Sequence, residues 1–245
     1  MRYTFMVLKE HPYGREMLRQ LVAAGFVPPL VIEEDSPVAD EERAKFYERL
    51  AGQPLPPTFD EILAGRGVRR VSVNHHNHKE CEDLIEAEAP DLLILGGTRI
   101  LKPNIFRKAR HATLNSHPGL LPEVRGSASV AWSIYHDVPI GCTCHFIEEG
   151  IDTGAIVGRR EIPVRRGQTY EELVHATLVL AGTLMVEAVT DFVQCKLAGV
   201  PQGPGGSTYR GMPPELLAEV NRKLAMGTYK HFIGDPDIRT EGTQG

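Results

Sequence analysis

No CxxC pair occurs anywhere in this 245-residue chain. Its four cysteines, Cys81, Cys142, Cys144 and Cys195, are spaced for neither a zinc ribbon nor a thioredoxin-type redox site. Positive charge is scarce too. The 27 Lys and Arg against 32 Asp and Glu leave a net charge of −5 and a pI near 6.1. Nucleic-acid binding draws on basic side chains that neutralise phosphates, so a generally basic, polyanion-binding protein is excluded and no nucleic-acid partner is expected. Uncharged helical stretches stay short, and the longest, Ala176 to Val186, falls well below the ~20 residues a bilayer requires. The start, MRYTFMVLKEHPYG, turns to charge too soon for a signal peptide. These absences lead us to expect a cytoplasmic protein with reduced thiols and no membrane partner. Internal repeats and low-complexity blocks are missing as well.

What the chain does have is ordinary globular material. Hydrophobic residues make up 42% and charged residues 24%, enough apolar content for one sizeable core. Tyr3–Leu8 is a short run of strand formers, and Met17, Leu18, Leu21 and Val22 recur at helical spacing before Gly25, a C′ stop. Val27–Ile32 and Val68–Val73 read as further strands. Residues 39–64 read as one or two surface helices carrying a Thr58–Glu61 capping box. Lys79–Ala89 predicts a helix, Asp91–Leu95 a strand covered on both faces, Ala112–Asn115 a strand and Ala128–Tyr135 a helix. Gly141–Glu148 and Ala155–Val164 could pair as an antiparallel edge, and Thr169 with Glu172 opens a long helix. This order is that of an α/β, Rossmann-like, mostly parallel sheet with helices on both faces. From Gly199 the text GVPQGPGG reads as a linker, followed by a helix over Pro213–Met226 and a fraying polar tail. The expected domains are a main body over residues 1–198 and a linker plus C-terminal helical extension over 199–245.

Three segments concentrate the chemistry. In DLLILGGTRILKP a buried strand ends at Gly96-Gly97, where ligands of open α/β sheets bind and where glycine lets a flat ligand approach the backbone. A tight turn is the plainer alternative. In NSHPGLLPEVRG, Asn115 and His117 lie two apart at a strand end, so their side chains point the same way. A carboxamide and an imidazole converging on one spot can hold a developing oxyanion. In GCTCHFIEEGIDTG, Cys142 and Cys144 alternate with Thr143 and His145, and Asp152 follows on a loop. An Asx turn would explain that aspartate; pairing with His117 would give it a function.

Together these segments resemble the N10-formyltetrahydrofolate-dependent formyltransferase family, whose pattern is Asn-x-His, a Leu-Leu-Pro loop and a later Asp-Thr-Gly. The likeness is close over residues 68–190 and only in outline before that. It implies a formyltransferase with N10-formyltetrahydrofolate as co-substrate and Asn115, His117 and Asp152 as the catalytic trio. It further implies a pterin cradle made by Leu95, Gly96, Gly97, Arg99 and Ile100 with Gly150, Ile151 and Thr153. Gly119 departs from the serine common in relatives. The first-strand loop, Lys9–Gly14, lacks the glycine-rich phosphate cradle of phosphoribosylglycinamide formyltransferases, and no large basic β-domain or N-terminal regulatory domain is visible in the sequence. The expected acceptor is therefore a primary amine of a small molecule, including nucleotide-linked amino sugars. The alternatives are a phosphoribosylglycinamide formyltransferase with an atypical phosphate site and a non-catalytic folate-binding module.

Other features have plain readings. The run Asn74–His78 with Cys81 has irregular spacings and no metal-site signature, so no metal is expected. Trp132 and Tyr135 either wall the acceptor pocket or pack on the sheet, His145 is a supporting residue or a strand histidine, and Tyr209 and Arg210 reach the site or cover the core. The long helix and the C-terminal extension could supply a homodimer surface.

Overall fold

The computed structural model describes residues 1–233, so the tail expected to fray lies, from residue 234 on, outside the described residues. The chain begins β1 (Tyr3–Leu8), α1 (Pro12–Ala23), β2 (Leu30–Glu34), α2 (Pro37–Arg49), α3 (Phe59–Leu63) and β3 (Arg69–Val73). It continues through α4 (Lys79–Glu88), β4 (Leu92–Leu95), α5 (Pro103–Phe106), β5 (Ala112–His117), β6 (Val124–Gly126) and α6 (Ser129–Tyr135). The last elements are β7 (Gly141–Phe146), β8 (Ile156–Glu161), α7 (Tyr170–Val193), β9 (Ser207–Tyr209) and α8 (Pro214–Ala225).

Seven strands form one sheet in the order β3-β2-β1-β4-β5-β7-β8. The first five run parallel, and β7 and β8 each add antiparallel to their neighbour. Successive side chains of each strand go to opposite faces. Phe5, Val7, Val31, Ile94, Leu114, Cys142 and Cys144 pack with α1, α6 and α7. Met6, Ile32, Leu93 and Leu95 pack with Ile85 of α4 and Ile105 of α5. The α/β, mostly parallel architecture read from the sequence is the one found, including the capping boxes at Thr58 and Thr169 and the left-handed stop at Gly25.

Two boundaries shift for identifiable reasons. The second strand starts at Leu30 rather than Val27, because Pro28 and Pro29 have no N–H to offer a ladder. It runs on through Glu33 and Glu34, which are buried because Arg70 and Arg99 pair with them. The first helix starts at Pro12 with His11 as its N-cap, the imidazole accepting from the Tyr13 amide at 3.3 Å. Helix α7 spans 24 residues and holds an 18-residue window of mean hydropathy 1.7, long and apolar enough to cross a bilayer by length and composition, yet more than half of that window is buried within the fold.

Strand order reverses between β1 and β4, so a crevice opens at their carboxyl ends. The backbone closes up tightly behind it. A Cβ on Gly14 would stand 2.4 Å from the Gly96 carbonyl oxygen and 2.4 Å from Val7 Cγ2. The expected linker also packs closely: β9 adds to β6 in parallel, Val200 bridges Ile156, and Gly206, with φ +79°, lies where a Cβ would meet the Pro122 carbonyl. Glycine there serves close approach, and residues 199–209 form a strap over the loop that follows His117.

Gly14→Ala should cost about 1–3 kcal/mol, the usual penalty for forcing an extra methyl into closed packing. Gly211→Ala, at a position with open space around it, is the control. Urea unfolding of the two variants checks this; equal midpoints would contradict the close approach.

Candidate active site

Asn115 and His117 lie two apart and share a face of β5, while Leu114, just before them, is committed to the opposite core. Leu95 pairs in register with Asn115, which sets the Gly96-Gly97 turn beside the carboxamide. On the other side β7 runs antiparallel, with His145 opposite Asn115 and Thr143 opposite His117. Asp152 comes from the loop between β7 and β8 and sits at φ +53°, a left-handed conformation that aspartate tolerates better than most side chains. A ladder irregularity between Cys144 and His145 lies next to this cluster, a common place for such a feature beside a functional side chain.

The Asp152 carboxylate bridges two imidazoles. Its Oδ2 lies 3.3 Å from His117 Nδ1 and its Oδ1 lies 3.5 Å from His145 Nε2. The Gly126 amide donates to Oδ2 at 2.8 Å. Burial pushes the Asp152 carboxyl upward, but the two histidines and the Gly126 N–H outweigh it and hold the group well below the usual carboxylate range. The group is therefore an anion at neutral pH.

His117 is 3% exposed. Its Nε2 lies 2.8 Å from the Val124 carbonyl and 3.2 Å from the Ser129 hydroxyl, which itself donates to the Gly126 carbonyl. Both ring nitrogens thus face acceptors, Val124 on one side and Asp152 on the other, an arrangement that suits a doubly protonated ring. Burial holds the His117 imidazole below its ordinary value, a lowering that Asp152 and the Val124 carbonyl offset only in part. Gly119 finds its reason here. A Cβ at 119 would stand 2.6 Å from His117 Nε2 and 2.9 Å from the Val124 oxygen, so a side chain would crowd the bond between them.

His145 Nδ1 lies 2.8 Å from the Phe146 carbonyl, and its Nε2 lies 3.3 Å from the Asn115 side-chain nitrogen and 3.5 Å from Asp152 Oδ1. The second Asn115 N–H is left for a ligand, and Asn115 is half-buried. The sequence places His145 only as a supporting residue; the structure makes it a full member of the cluster. Its alternation with the core cysteines on β7 was the signal. Ser129 had no signal beyond its place after the Leu-Leu-Pro loop.

The structure distributes the expected pterin residues unevenly. Leu95 and Gly96 are backbone neighbours of Asn115, and the Gly97 turn, φ +89°, packs on the His11 ring. Ile100 and Ile151 are 72% and 40% exposed, apolar tips on the two loops that rise from β4 and β7. Gly150 adopts φ +110°, and the Thr153 hydroxyl donates to the Glu149 carbonyl at 3.0 Å. Arg99 is committed elsewhere: its guanidinium pairs with Glu34, whose carboxylate is fully buried. Burial pushes that carboxyl up, and the hydrogen bonds from Arg99, the His76 amide and Ser36 overcome this to hold it at about 2.

The histidine run resolves into structure. His76 is fully buried beside Glu34, with burial drawing its imidazole to about 4, and His75 stacks on His78 at 4.4 Å. Among the described residues no group of three or more His, Cys, Asp or Glu side chains is placed to hold a metal ion. Cys142 and Cys144 are core residues, and burial pushes the Cys144 thiol up to about 12. Trp132 stacks on Tyr209 at 4.7 Å and donates from Nε1 to the Arg210 carbonyl, which ties α6 to the strap.

Comparison with known proteins places these features in context. The model of the formyl transferase family matches residues 37–189. A methionyl-tRNA formyltransferase of Aromatoleum aromaticum is 27% identical over 204 residues, covering 81% of this chain and 61% of the relative. One from Chlorobium chlorochromatii is 25% identical over 162 residues, covering 66% of this chain and 52% of the relative, so the chain spans about half the length of the curated relatives it matches. Among solved structures, a sugar N-formyltransferase from Shewanella sp. FDAARGOS_354 aligns with a TM-score of 0.64 at 17% identity, covering 92% of this chain and 88% of that one. These structural likenesses establish the shared fold.

Replacing Asp152 by Asn removes the charge that favours the His117 cation, so the His117 midpoint should move to lower pH. NMR titration of the ligand-free protein reads this directly. A midpoint that stays put or rises would show that the carboxylate does not govern the ring.

Proposed function

The chain belongs to the formyl transferase family, and on that premise we propose that it moves a formyl group from N10-formyltetrahydrofolate to the primary amine of a small molecule, nucleotide-linked amino sugars first among them. The observation that carries this is the Asp152 anion bridging His117 and His145 beside a half-buried Asn115 amide.

The chemistry follows from what each group can do. The folate supplies the formyl group. Attack by a neutral amine forms a C–N bond and puts negative charge on the former carbonyl oxygen. The free Asn115 N–H and a protonated His117 supply the donors for that charge, and each such donor contributes about 3–4 kcal/mol of barrier. To do this His117 must exchange its Val124 carbonyl for the substrate oxygen, or act through charge alone. Asp152, held ionised, orients His117 and, through a water, relays the proton that the amine loses. Collapse breaks the bond to N10, and the proton released by the amine is the one N10 requires. What supports a flat, partly apolar ring as ligand is that exposed Ile100 and Ile151 stand on loops whose backbone adjoins Asn115 and Asp152.

The acceptor assignment rests on the first loop and on charge. At the start of α1, Pro12 has no N–H and the Tyr13 N–H is capped by His11. Arg15, the nearest helix cation, is spent on the Pro56 and Pro57 carbonyls and on Glu10. A phosphoribosyl amine with its terminal phosphate seated at that helix end would find few donors. The net charge of −5 likewise disfavours a tRNA.

Purified protein with N10-formyltetrahydrofolate and an amino-sugar nucleotide, glycinamide ribonucleotide or methionyl-tRNA as acceptor tests the reading. Turnover is expected with the amino-sugar nucleotide. Preference for another acceptor replaces the substrate but keeps the reaction, and no transfer to any amine favours a binding module. Asn115→Ala or His117→Ala should lower kcat by about 10²–10³, the range for a lost oxyanion donor; a wild-type rate removes that residue from the mechanism.

A further inference from the structure

We infer that Gln202 is a positioning residue for Asp152, and that the strap after Gly199 is thereby a working part of the reacting site. The inference rests on the reading of Asp152 given above. Both amide hydrogens of Gln202 are spent on the loop that carries the carboxylate: Nε2 donates to the Asp152 carbonyl at 2.7 Å and to the Gly154 carbonyl at 2.8 Å. The Gln202 Oε1 accepts from Arg125 Nη2 at 2.8 Å, which fixes which way round the carboxamide sits. Arg125 is itself tied to the strap, its Nη1 donating to the Gly205 carbonyl at 3.1 Å.

The same strap grips the carboxylate from the other side. Gly126, whose amide donates to Asp152 Oδ2, sits at φ +87° against Tyr209, close enough that a Cβ would stand 2.1 Å from the Tyr209 oxygen. The Ser127 amide donates to that oxygen at 3.0 Å. Asp152 is thus clamped at its backbone by Gln202 and at its side chain by Gly126, and β9 backs the second clamp. Its left-handed backbone needs such over-determination, because that conformation is not one the residue keeps unaided. Loss of the Gln202 donors would let the loop turn and carry Oδ2 away from His117 Nδ1.

Gln202→Met preserves length and removes the donors; Gln202→Glu keeps the shape and also cannot donate. In both, kcat should fall about tenfold or more while the acceptor KM stays within about twofold, as when a group orienting a reacting residue is lost. The titratable groups facing His117 are Asp152 and His145, so the His117 midpoint, read by NMR without substrate, should move to lower pH as in Asp152→Asn. Arg125→Met, which frees the Gln202 amide, should shift it the same way by less. A His117 midpoint unchanged in a folded Gln202→Met, with Asp152→Asn shifted, overturns the inference and leaves formyl transfer standing. A shifted midpoint in a protein that transfers formyl to no amine does the reverse. Loss of folding in all three variants would mark the strap as a folding element and also overturn the positioning role.

Discussion

Between two buried imidazoles lies one carboxylate, and the neighbouring architecture exists to keep it there. Asp152 carries a full charge in a place where burial alone would neutralise it. Isolated buried charge costs several kcal/mol, so the anion persists only while its partners stay within reach. Each partner comes from a different stretch of chain: His117 from β5, His145 from β7, the Gly126 amide from β6. The electrostatic requirement at one atom pair thereby fixes how three strands and a loop must meet.

The sheet supplies the rest by periodicity. With Leu114, Cys142 and Cys144 drawn into the α1/α7 core, the residues between them have no choice but to face the crevice side. Register then puts His145 opposite Asn115. Precision at the site comes from packing elsewhere, since the strand cannot slip by one residue without exposing its apolar set.

Much of this was legible in the sequence, and what escaped did so for physical reasons. The alternation of strand and helix signals exposed the architecture, and the Asn-x-His and Asp-Thr-Gly segments stood out by their combined likeness to the formyltransferase pattern, since each alone has a plain structural reading; the structure brings His117 and Asp152 together. The second strand runs past its expected end at Ile32 because Glu33 and Glu34 find Arg70 and Arg99, distant in sequence, beside them. Arg99, expected beside the ligand, has its guanidinium in that pairing with Glu34. The glycine-rich run after Gly199 reads as freedom because composition cannot distinguish a flexible glycine from one squeezed against a carbonyl, as Gly206 is. Three-residue ladders such as β6 with β9 carry too few side chains for periodicity to register.

The order of residues along the chain gives the strap a temporal meaning. Gln202 follows Asp152 by 50 positions, so during synthesis the ribosome releases the reacting groups well before the residue that steadies them. A polypeptide that has emerged only as far as Asp152 would carry the amide, the rings and the acid in a loosely held state, and the emergence of Gln202 would lock them. Proteolytic nicking between Gly199 and Ser207 would undo that lock without removing a single reacting side chain.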